Sequence, residues 1–135
     1  MSYKASAALQ SAVYQRLTAD APLGALVGTA IHDALPAGIP PALYVLIGPE
    51  DVTARVDSGG AVSVHDFSVL VVTEAAGFSI AKLVASAVCD ALSGLMLDAG
   101  HLVALTFATA RARRREAGLL REIELRFRAT VDLAA

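Results

Sequence analysis

Four arginines fall within five residues: Arg111, Arg113, Arg114 and Arg115. Guanidinium groups are permanently charged forks that fit carboxylates and phosphates. The cluster therefore predicts contact with an acidic protein surface or with nucleic acid. Stacking aromatics are missing nearby and the formal net charge is -2, which favours a protein surface. The plainer alternative is a solvated hairpin whose charges discourage edge aggregation. Two His-Asp dipeptides, His32-Asp33 and His65-Asp66, bring metal-ligand side chains. Both fall on expected strands, where adjacent side chains point to opposite faces, so neither dipeptide chelates by itself. His101 is the only other histidine, and strand-edge polar residues are the reading preferred to a metal site. Cys89 sits among apolar residues with no basic neighbour to activate it, as a core thiol would. Nucleophile elbow, Walker loop and dinucleotide fingerprint are all missing. Neither a catalytic set nor a cofactor site is expected.

The elements that would hold these residues follow from periodicity. From Ile123 to Val131 every odd position is apolar, and from Glu122 to Thr130 every even position is polar. This is a strand with one buried and one wet face. From Leu119 to Val131 it would span roughly 43 Å, so it needs neighbouring strands and a cover. Glu122 and Glu124 share its wet face with Arg126 and Arg128, where cross-strand salt bridges are expected. Leu102 to Thr109 is a second strand, with Val103, Leu105 and Phe107 on one face. Arg111 to Gly118 would connect the two as a hairpin with a basic tip.

Upstream, Ser2 to Ala19 reads as a helix with the stripe Leu9, Val13 and Leu17, weakly capped by Ser2. Asp20-Ala21-Pro22 opens a short helix that stops at Gly28. Ile31 to Leu35 is a short extended piece, and Pro36 to Pro41 a loop. Leu43 to Ile47 is a strand ended by Gly48-Pro49. Val52 to Val56 extends weakly toward a turn or mobile loop at Asp57-Ser58-Gly59-Gly60. Val62 to Thr73 is a strong strand, apolar on both faces near its end. A helix capped by Ser79 runs to about Gly94, with Ile80, Val84, Ala87, Val88, Ala91 and Leu92 on its apolar stripe. The order predicts an α+β fold: an antiparallel or mixed sheet of about four strands with helices packed on one face, as one domain over residues 1–135.

Bulk properties agree with this reading. A chain of this length can bury a real core. Seven of the eleven basic residues are arginines between Arg111 and Arg128; against three glutamates they make that segment +4 and the remainder -6. One cysteine argues against a disulfide-stapled domain. No signal peptide and no membrane association are expected, although the mean hydropathy of +0.59 is high. Part of that apolar excess is surface for a partner subunit to cover.

Three stretches together resemble a known family: the Leu9-x-x-Ala-Val-Tyr-x-x-Leu17 helix, IHDALPAGIPPALYVLIGPED from Ile31, and VHDFSVLVVTEAAGFSIAKLVASAVCDAL from Val64. The chain resembles the tail terminators, the small tail-completion proteins of long non-contractile-tailed phages and of gene transfer agents. His32 stands where that family often has tyrosine. The resemblance implies a non-enzymatic virion protein that assembles as a hexameric ring on the finished tail tube. Such a ring stops polymerisation of the tube protein and presents a surface to the head-tail connector or stopper protein. DNA would transit its lumen without specific binding. The place implied is the head-proximal end of the tail, after assembly in the bacterial cytoplasm. Arg111, Arg113, Arg114 and Arg115, with Asp51, Arg55 and Asp57 in the loop from Asp51 to Gly60, are the expected intersubunit or tail-tube contacts. The alternatives are another head-tail connector or tail-tube ring subunit and, from a different class, a small metal-dependent hydrolase built on the His-Asp pairs.

Overall fold

A computed structural model describes residues 3–55, 59 and 61–134. Ser2, the expected first cap, and Val56, Asp57, Ser58 and Gly60 lie outside the described residues. The elements in order are α1 (Lys4–Ala19), α2 (Ala21–Val27), β1 (Ile31–His32), β2 (Leu43–Ala54), β3 (Val62–Thr73), α3 (Ser79–Leu92), β4 (His101–Arg115), a 3-10 turn (Glu116–Gly118) and β5 (Leu120–Asp132). The fold is α+β. The sheet has five strands in the order β1-β2-β3-β5-β4, one more than expected because Ile31 and His32 pair in parallel with Val45 and Leu46. The other pairings are antiparallel.

The period-two strand lies inside the sheet, between β3 and β4. Its odd residues Ile123, Leu125, Phe127, Ala129 and Val131 are buried against the helices. Val71, Val69 and Phe67 of β3 stand opposite the first three. Phe67 and Phe127 stack with ring centroids 5.4 Å apart. The helices supply the facing stripes. Leu9, Val13 and Leu17 of α1 are buried, as are Leu23 and Val27 of α2 and Ala81, Val84, Ala85, Val88, Ala91 and Leu92 of α3. Ala81 and Ala85 join the stripe, while Ile80 and Ala87 are only partly buried, Ala87 packing against the core.

Caps set the helix ends. The Asp20 carboxylate accepts the Leu23 N–H at 3.0 Å, and Gly28 ends α2 with φ of 61°. Ser79 is the first residue of α3, after Phe78 at the cap, and the helix stops at Leu92. Arg16 on α1 donates to the carbonyls of Ala91 and Ser93, both at 2.7 Å. It fastens α1 to the carbonyl end of α3, where a cation is favoured.

Two expectations about strands are corrected. Gly48-Pro49 does not end β2. It forms a bulge, in which Ile47 faces Val69 and Glu50 faces Phe67, and the strand resumes to Ala54. Proline lacks the N–H a ladder needs, and a bulge is a place where that costs nothing. The extra residue inverts the parity: Val45 and Ile47 face the helices before it, Glu50 and Val52 after it. On the other side, β4 runs on to Arg115, so Arg111 to Arg115 are strand and not loop. The reversal is left to Glu116-Ala117-Gly118, all with positive φ. Bulges at Val103 and Ala108 place Val103 out of line with Leu105 and Phe107. Among the described residues no helix is long and apolar enough to cross a membrane.

Candidate functional site

The arginines stand on β4, one margin of the sheet, in register with β5: Arg111 opposite Glu124, Arg113 opposite Glu122, Arg114 opposite Arg121, Arg115 opposite Leu120. Alternation puts Arg111, Arg113 and Arg115 on the face away from the helices and Arg114 on the other. The four have different surroundings. Arg113 donates to Glu122 Oε2, through Nε at 3.0 Å and Nη2 at 2.9 Å. Arg115 donates to Glu122 Oε1 at 2.7 Å. Each oxygen of this carboxylate thus has its own guanidinium, and Glu122 is only 2% exposed. Arg111 and Arg114 have no ion-pair partner among the described residues.

Glu122 was expected on a wet face with Arg126 and Arg128. It is buried instead, and its partners come from β4. Arg126 approaches Glu124 at 3.7 Å, while Arg128 pairs with Asp66 across to β3 at 2.8 Å. The signal for the true partners was present: a turn at Glu116-Ala117-Gly118 sets Arg113 opposite Glu122. Tyr44 sits two strands away in the same row, opposite Val72. Burial pushes its phenol up, and the Glu122 and Glu116 carboxylates push it further against a smaller opposing pull from Arg115.

The opposite margin is acidic. Asp51 is on β2 rather than in a loop, exposed, on the face away from the helices and opposite Asp66. Asp33 follows β1 and accepts from Gln10 at 3.4 Å, beside an open groove on α1 that includes Tyr3 and Tyr14. Arg55 follows β2 and is exposed; its N–H donates to the Val62 carbonyl at 2.9 Å. Asp57 lies outside the described residues. The structure therefore sets the expected arginines and Asp51 on opposite margins, not at one patch.

The His-Asp pairs split as strand alternation requires. Asp66 faces Arg128. His65, 0% exposed, faces the helices, with Nδ1 3.1 Å from Glu50 Oε2 and Nε2 2.8 Å from Ser63 Oγ. Glu50 also accepts the Ser6 hydroxyl from α1. The order Ser63, His65, Glu50 imitates a nucleophile, base and orienting acid. Ser63 is itself buried in the sheet's covered face, so the chain of hydrogen bonds fastens α1 and β2 to β3 and presents no hydroxyl to a substrate. The Gly48-Pro49 bulge turns Glu50 inward and makes the network. His32 Nε2 is buried without a partner among the described residues, which also contain no group of three metal-ligating side chains. Cys89 is half-buried, and burial raises its thiol above the ordinary range, with Asp90 adding to the shift.

The described residues thus form a helix-backed sheet with one basic and one acidic margin. The family model for tail completion protein gp17 matches residues 11–132. The chain belongs to this family. Similarity to solved structures extends over nearly the whole chain. A chain in the virion of a native gene transfer agent particle is 53% identical, with 97% of this chain and 99% of that chain covered and a TM-score of 0.89. The gp17 protein of bacteriophage SPP1 is 27% identical, with 96% and 92% covered and a TM-score of 0.63. No curated protein matches. The α+β fold and the family inferred from the Leu9–Leu17, Ile31–Asp51 and Val64–Leu92 stretches agree with these findings.

Proposed function

We propose that this protein is a structural component of a phage or gene transfer agent tail. It forms a hexameric ring on the last layer of the tail tube, stops tube polymerisation and offers the head connector its joining surface. The observation that carries this is the 53% identity, over almost the full length of both chains, to a chain of a native gene transfer agent virion. The whole chain acts as one domain, without catalysis, because the Ser63, His65 and Glu50 side chains are used to hold the fold. Occlusion is the mechanism: the ring covers the surface onto which the next tube layer would add. DNA transits the lumen without specific contacts. The ring sits at the head-proximal end of the tail, after assembly in the bacterial cytoplasm. Unlike margins on one subunit suit a ring, which needs two different patches per copy.

Negative-stain microscopy of particles from a producing strain lacking the gene tests this reading. Overlong tails without heads, beside filled heads without tails, are expected. Normal particles would remove tail termination from consideration.

A further inference from the structure

The two margins of the sheet are unlike in length, charge and cover. β4 forms one margin over fifteen residues, with four arginines and no acidic residue. At the other margin β1 covers only Val45 and Leu46 of β2. Among the described residues Glu50 to Ala54 is therefore left as a free edge. β2 carries Glu50 and Asp51 and no lysine or arginine. An uncovered strand edge is a template for another strand. On β4 it comes with exposed apolar side chains, Val103 at 54% and Phe107 at 52%. The Phe107 ring packs edge-on against Phe127, centroids 5.9 Å apart, as the outer end of an aromatic row that begins at Phe67.

We propose that copies of this chain join margin to margin, the outer edge of β4 adding antiparallel to the free Glu50–Ala54 edge of β2 in the next copy. The proposal rests on the ring reading above and names the surfaces that would build it. The direction follows from topology: three successive antiparallel pairings make β4 run opposite to β2. A sheet continued in the same sense therefore sets β4 antiparallel to the neighbouring β2. Charge selects this arrangement over β4 meeting β4: the registers set Glu50–Ala54 level with Leu102–Phe107 and Arg111 level with Leu46 and His32, beside Asp33, so the basic end of β4 approaches an acidic margin instead of a second basic strand. Phe107 and Val103 are covered in the same step. Each copy uses two different patches, so the contact repeats around a closed ring or along an open array.

A charge-swap pair tests the proposal. One variant carries Arg111→Glu and Arg114→Glu; the other carries Asp33→Arg and Asp51→Arg. None of these four side chains has an ion-pair partner among the described residues, so each variant keeps its circular dichroism spectrum. Sedimentation velocity then reads self-association. Each variant alone is expected to associate at least about tenfold more weakly than the parent, through like charges at every junction. An equimolar mixture regains association, since every junction can then pair unlike charges. Variants that associate like the parent, or a mixture that stays dissociated, would overturn the margin contact. The ring reading is judged separately on particles of the parent protein. Terminated tails that carry a ring while the charge variants change nothing would reject these surfaces and keep the ring. Tails without a ring would reject both.

Discussion

Arg115 Nη1 lies 2.7 Å from Glu122 Oε1, and this carboxylate is buried although it stands on the side of the sheet that no helix covers. Two β4 arginines bind it there. Arg113 takes the other oxygen. The cluster is therefore divided. Arg113 and Arg115 hold the hairpin to β5, while Arg111 and Arg114 have no ion-pair partner among the described residues.

That division predicts unequal costs. Replacing Arg113 and Arg115 together by alanine takes both cations from Glu122 and lowers the unfolding free energy. Removing Arg111 and Arg114 changes it by less than about 0.5 kcal/mol. Urea denaturation of the two double variants measures the difference. Equal midpoints would mean that Glu122 does not depend on its arginines. Replacing all four arginines at once therefore confounds folding with assembly.

The second prediction concerns the hydrogen bonds that join Ser6, Glu50, His65 and Ser63. His65→Leu removes both imidazole bonds and strands the Glu50 carboxylate in a partly buried site. A loss of about 2–3 kcal/mol is expected, against about 1 kcal/mol for Ser63→Ala. Hydrogen exchange separates this from general destabilisation. Amides in the first turns of α1 should open before those of β5 in His65→Leu, because Glu50 is the link from β3 to Ser6. Uniform acceleration across both elements would refute the fastening role.

Tyr44 gives a prediction in alkali. Its phenol is held above its ordinary range by burial first and by Glu122 and Glu116 next. The folded protein favours the protonated form. Below the unfolded pKa of about 10 both states keep the proton, and stability is unaffected. As pH rises from there toward the folded pKa, unfolding releases the proton and stability falls. Tyr44→Phe should flatten the fall in melting temperature above about pH 10. A slope unchanged by that substitution would assign alkaline unfolding to other groups.

Local sequence determined much of this protein. The alternation from Ile123 to Val131 gave β5 a covered and an uncovered face. The Leu9, Val13 and Leu17 spacing gave α1 its stripe, and Asp20 with Pro22 gave α2 its start. Each depends on neighbours a few residues apart, which the chain carries with it. The opposition of Asp66 and His65 was legible for the same reason: adjacent strand residues point apart whatever the partner strand is.

Tertiary structure decided which faces meet. Gly48-Pro49 read as a stop because proline lacks a ladder donor. Only pairing with β3 makes it a bulge, inverts the parity of β2 and turns Glu50 toward His65. Glu122 read as a wet residue because its neighbours in the strand are polar. Its burial depends on the register of β4, fixed by the four-residue connection from Glu116 to Leu119. The placing of the basic and acidic residues on opposite margins follows from the strand order β1-β2-β3-β5-β4. That order comes from non-local pairing between segments tens of residues apart, and no local spacing encodes it.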